Sequence, residues 1–133
     1  LINDVHAFFC DDIRQEMSGK FILIGVYTGE MNVSVGPATL PLSMWVEIAG
    51  LPAGKQKLNF SVRKHVGSQR TEIARMDVEV EVMNEKLPVS LPLQGLPVSI
   101  DSDCSFSLSV SHAGLPERLA GTLSVKALFA ENN

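Results

Sequence analysis

The stretch "MDVEVEV", residues 76 to 82, puts Met76, Val78, Val80 and Val82 in one phase and Asp77, Glu79 and Glu81 in the other. Strict alternation suits a strand, whose successive side chains point to opposite faces; a helix would scatter the same carboxylates around its circumference. Burying one valine is worth about 1.5–3 kcal/mol, and burying an unpaired carboxylate costs more. The valine face therefore packs inward and the acidic face meets water. Just upstream, Leu58, Phe60 and Val62 alternate with Asn59, Ser61 and Arg63. Gly67-Ser68 lies between the two runs, so they form a hairpin with one buried and one wet face.

The same period recurs along the chain. Met44, Val46 and Ile48 alternate with Trp45 and Glu47. Phe106, Leu108 and Val110 alternate with serines 105, 107, 109 and 111, which read as a solvent face. Leu123, Val125, Ala127 and Phe129 share one phase near the end. "KFILIGVYT", residues 20 to 28, is apolar in both phases and reads as a central strand covered on both sides, with Gly25 marking a bulge or a close approach. In "KLPVSLPLQGLPVSI", Leu87, Val89, Leu91 and Leu93 share a phase opposite Pro88 and Pro92. Prolines spaced in that way remove donors along one side only, which suits an edge strand or a sheet-to-sheet crossing; Gln94-Gly95 breaks the run and residues 96–100 resume it. "LPERLAG", residues 115 to 121, is short enough for a single helical turn, and no longer helical stripe is present. About eight strands separated by Gly-rich turns predict an all-β, antiparallel β-sandwich, C2-like or immunoglobulin-like, with little or no helix and a barrel as the lesser option. There is no internal repeat or linker, so residues 1–133 read as one domain.

Composition excludes some functions. The net charge is −4 and the 11 Lys and Arg are scattered, which leaves no basic stripe for nucleic acid or an anionic membrane surface. No apolar run approaches the roughly 20 residues of a membrane span. No basic start followed by an apolar segment and a small-residue cleavage site is visible, so a soluble cytoplasmic protein is expected, with Cys10 and Cys104 reduced. Three histidines, His6, His65 and His112, lack a second ligand at metal spacing. No Gly-x-Ser-x-Gly elbow and no phosphate loop occur.

The carboxylates remain. Asp11 and Asp12 fall in a first predicted loop and Asp101 and Asp103 in a later one. Sandwiches can gather such loops at one end, and calcium takes six to eight oxygens, so these four could build a calcium or carboxylate-based site. Aspartate is also a good turn residue in its own right. Arg14 sits among Asp11, Asp12 and Glu16, and its planar fork can tie them into an ion-paired clasp; the same loop could instead present Asp12 and Arg14 to a partner.

Cys10, Asp11, Asp12, Arg14, Glu16, Gly19, Lys20, Gly25 and Tyr27, in "FFCDDIRQEMSGKFILIGVYTGEM", together with the looser "GLPAGKQKLNFSV", resemble a family of small bacterial proteins known only as a domain of unknown function. The resemblance implies a single sandwich domain and supplies no activity. Two classes of function follow from the residues. The first is a non-enzymatic binding or assembly module, without cofactor, that meets a protein partner or a second copy through loops or a sheet edge. The second is an enzyme or C2-like binding site built from Asp11, Asp12, Asp101 and Asp103.

Overall fold

The computed structural model describes residues 2–129. They form β1 (Asp4–Gln15), β2 (Phe21–Tyr27), β3 (Glu30–Val33), β4 (Ala38–Ala49), β5 (Gly54–Val66), β6 (Gln69–Val82), β7 (Val89–Ile100), β8 (Cys104–His112) and β9 (Arg118–Ala127). Two sheets, ordered β2-β1-β4-β7 and β3-β9-β8-β5-β6, pack as a sandwich, and no α-helix occurs among the described residues. Every pairing is antiparallel except that of β3 with β9. The chain order along β9, β8, β5 and β6, with β4 against β7 on the facing sheet, is the G-F-C-C′ and B-E arrangement of immunoglobulin sandwiches.

The alternating phases converge on one core. Met44, Val46 and Ile48 of β4 face Leu58, Phe60 and Val62 of β5 and Phe106, Leu108 and Val110 of β8, all of them fully or almost fully buried. The 58–82 hairpin closes through Gly67-Ser68, and Gly67 takes φ +58, the sign that a type II′ turn requires at its first central residue. Val82 is buried, while Met76, Val78 and Val80 are half-buried and Asp77, Glu79 and Glu81 are exposed. The register is the one expected. Burial is incomplete because β6 is the edge of its sheet and its outer flank has no neighbour.

The proline reading of β7 holds in part: the strand is an edge and contains Pro92, but Pro88 precedes it. β7 is an edge strand, and Pro92 and Pro97 sit opposite Trp45 and Pro41 on its single partner β4. Its register slips between Leu42 and Met44 of β4, opposite Gln94 and Gly95, where Gly95 takes φ +68. The slip moves the inward phase from Leu91 and Leu93 to Val98 and Ile100, so both halves of the strand bury their apolar side chains.

Three expectations are corrected. β2 is an edge strand, not a central one. Ser107 and Ser109 are buried, because they lie on inner strand β8 among longer side chains of β5 and β9 on the outer face. Residues 115–117 form no helical turn; they are extended coil running into β9.

Candidate functional site

The acidic segment is not a loop. Cys10, Asp11, Asp12 and Arg14 lie within β1, which continues to Gln15, and only residues 16–20 turn the chain into β2. That turn closes with Glu16 N–H donating to the Lys20 carbonyl at 2.7 Å and Gly19 N–H to the Glu16 carbonyl at 2.9 Å. Gly19 there has φ +94. The strand extends because Ile13 and Leu23, Asp12 and Ile24, and Arg14 and Ile22 pair directly across the hairpin.

Each residue of the motif has a distinct job. Asp11 lies where the register sets it against Gly25, and a Cβ at Gly25 would collide with the Asp11 carboxylate. Gly25 also has φ +67, which a side chain would strain. Gly25 is thus the close approach that its position in an apolar strand suggested. The Tyr27 hydroxyl donates to Asp11 Oδ1. Burial, then this hydrogen bond and the nearby charge, push the Tyr27 phenol up to about 12, so it stays a donor. Asp12 accepts from the Ile13 amide at 2.9 Å and from Arg14 Nε at 3.1 Å. Glu16 accepts from Ser18 Oγ at 3.3 Å and is not bonded to Arg14.

The Arg14–Asp12 pair is single-toothed, and its side chains are 71% and 48% exposed. Exposed pairs of this kind contribute about 0–1 kcal/mol. Arg14→Ala is therefore expected to change stability by less than about 1 kcal/mol in a denaturant titration. A larger loss would mean that Arg14 holds the hairpin in a way this geometry lacks.

Beyond Cys10 the hairpin leaves the sheet. β1 pairs with β4 only from Asp4 to Cys10. Phe21, opposite Gln15, nevertheless places its ring 5.0 Å from that of Trp45, which is opposite Phe8. Gln15 lies seven residues beyond Phe8, roughly 23 Å along a straight strand. The hairpin must bend back across the outer face of its own sheet. A second contact agrees: Gln94 Nε2 of β7 donates to the Ile13 carbonyl at 2.5 Å. Cys10, Ile13 and Ser43 are buried under this fold-over yet lie outside the main core. Burial, followed by the Asp11 charge, raises the Cys10 thiol pKa; burial raises that of Cys104, and both cysteines are free.

The fold-over leaves the free edge of β2 bare. Ile22, Ile24 and Val26 alternate along it at 43%, 39% and 45% exposure, and Phe8 on β1 adds a fourth exposed apolar side chain.

The second acidic pair does something else. Asp103 Oδ1 accepts from the Ala127 amide at 2.7 Å, and Asp101 lies 3.9 Å from Lys64 Nζ. Among the described residues no three His, Cys, Asp or Glu side chains come together as a metal site, so the four aspartates do not converge.

A polar network on the outer face of the five-stranded sheet escaped the sequence reading. Arg63 makes a two-pronged bond to Glu117, both at 2.7 Å. Arg75 bonds Glu72 at 2.9 and 2.7 Å and Asn59 at 2.5 Å, and Ser61 Oγ donates to Glu72 at 2.8 Å. Asn59, Ser61 and Arg63 announce a wet face by their alternation, but Glu117 is 54 residues away and carries no local signal. Beside the network His65 Nε2 lies 3.0 Å from Ser107 Oγ, in an open groove of about 460 Å³. Glu117, the carboxylate lining that groove among the described residues, is engaged by Arg63 rather than by His65. His112 is buried, its burial lowers the imidazole pKa, and its Nε2 lies 2.7 Å from Gln56 Oε1.

The Arg75 bond, then the Ser61 bond, bring Glu72 from an ordinary value near 4.5 to about 2; the Arg63 fork likewise lowers Glu117. A depressed carboxyl contributes stability above its unfolded value and loses it as pH falls through its folded value. Melting temperature is therefore expected to fall as pH drops from about 4.5 toward 2, with a shallower slope in Glu72→Gln. An unchanged slope would show that the pairing does not persist in solution.

No family model matches the sequence, and no curated protein is similar to it. Among the described residues no helix is long and apolar enough to cross a membrane.

Proposed function

We propose that the protein is a non-enzymatic binding or assembly module that docks an extended protein segment along the free edge of β2. One observation carries this reading. Of the four sheet edges among the described residues, β2 alone presents a row of exposed apolar side chains with no proline, charge or shortness to guard it. β7 carries Pro92 and Pro97, β3 is only four residues long, and β6 alternates its half-buried valines with Asp77, Glu79 and Glu81. Prolines, shortness and charge are the devices that keep an edge from pairing. β2 has none of them between Phe21 and Tyr27. Strand addition there would satisfy its unpaired backbone groups and cover Ile22, Ile24 and Val26.

The test is affinity capture from the source cells with the wild-type chain and with Ile24→Lys. Ile24 is exposed, so the lysine leaves the core intact. The reading expects a partner retained by the wild type and lost by the variant. Identical capture by both would place binding elsewhere on the molecule.

A further inference from the structure

We infer that the segment docked on β2 is β2 of a second copy, paired antiparallel about a two-fold axis through Ile24. This inference rests on the reading of β2 as a docking edge. Its support is the order of residues in β2 itself, "FILIGVY". Centred on Ile24, an antiparallel pairing sets Ile22 against Val26 of the second copy, Ile24 against Ile24, and Val26 against Ile22. Every exposed apolar side chain of the edge then meets another. On the opposite face Phe21 meets Tyr27, an aromatic pair at each end, and Leu23 meets Gly25. Leu23 there lies beside the Asp11 carboxylate, which fills the space a Gly25 side chain would take. Cross-strand apolar and aromatic pairs of this kind are the units that stabilise a sheet.

Electrostatics and geometry agree with the same register. No Lys, Arg, Asp or Glu lies between Phe21 and Tyr27, so no like charges face each other across the axis. Lys20 of each copy falls opposite Thr28 of the other rather than opposite a second lysine. β2 is the end strand of its sheet, and among the described residues no strand pairs with its outer edge. A two-fold pairing uses one edge per copy and closes on itself, so it yields a dimer and not a fibre.

The experiment is sedimentation equilibrium of the wild type and Ile24→Lys, with oxidative cross-linking of Ile24→Cys and Phe8→Cys. The wild type is expected at twice the chain mass, and Ile24→Lys at the chain mass, its dimerisation weakened about a hundredfold or more. Ile24→Cys is expected to form an intermolecular disulfide on mild oxidation, because antiparallel partners directly opposite lie about 4.5–5.5 Å apart, within disulfide reach. Phe8→Cys, on the neighbouring strand, is not. A wild type that stays monomeric, a dimer that survives Ile24→Lys, or equal cross-linking of both cysteine variants overturns the inference. A monomeric wild type that still captures a different protein, and loses it in Ile24→Lys, overturns the two-fold pairing alone and leaves the docking edge standing. A monomeric wild type with no such capture removes both.

Discussion

Phe60→Ala is expected to lower stability by about 3–5 kcal/mol. Phe60 is fully buried on β5, between Met76 of β6 and Val110 of β8, at the centre of the single core that joins the sheets. Removing the ring forfeits its transfer free energy and leaves a cavity that the flanking strands cannot close without breaking register. For a chain of this size the loss corresponds to a melting temperature lower by roughly 10–20 °C. The comparison that gives the result meaning is Val78→Ala. Val78 lies on the edge strand and is only half-buried, so its truncation is expected to cost about 1 kcal/mol or less. Equal costs in a thermal melt would contradict the division between core and rim.

Gly25→Ala is expected to cost about 2–4 kcal/mol, a large effect for one methyl group on an exposed strand. About 1–2 kcal/mol comes from forcing a side chain into the left-handed region that Gly25 occupies at φ +67. The rest, on the order of 1–2 kcal/mol, comes from driving the Asp11 carboxylate off the Tyr27 hydroxyl. The second part is separable. Combined with Asp11→Ala, the Gly25→Ala cost is expected to shrink toward the backbone term alone, a non-additivity that a double-mutant cycle reads directly. The Tyr27 phenol gives an independent signal. Asp11→Asn is expected to bring its titration down from about 12 toward 10, though not fully, since burial is the larger cause. Additive costs and an unmoved phenol would mean that Asp11, Gly25 and Tyr27 do not form one unit.

How much of this could be read from residues alone depended on whether the cause was local. Alternation at 44–48, 58–62 and 76–82 is local, and it placed the core residues in the right phase. The prolines of β7 act on their own N–H groups, and they marked an edge correctly. β2 misled for an instructive reason. Apolar residues in both phases usually mean cover on both faces, but here one set packs under the fold-over and the other stays bare. The pattern "FILIGVY" reads the same for a strand covered on both sides and for one left bare at an edge. The acidic motif misled through its composition, because Asp-Asp and Ser-Gly suggested a long loop. The ladder between Ile13 and Leu23, and between Arg14 and Ile22, kept most of it extended. The Arg63–Glu117 fork depends on β5 and the β8–β9 connection meeting in space, which no window along the chain contains.

The parallel ladder of β3 and β9 has a kinetic consequence. Met31 pairs with Val125, so an element made early waits for one made more than ninety residues later. Contacts of such long separation slow folding, because loop-closure entropy must be overcome before they form. On a ribosome emitting the chain from its N-terminus, β1 through β8 would emerge without the strand that joins β3 to the five-stranded sheet. Until residues 118–127 arrive, Met31 and Val33 have nowhere to bury, and the sandwich stays open along that side. The nascent chain should thus remain protease-sensitive until residues 118–127 have emerged, and become resistant in one step at that point.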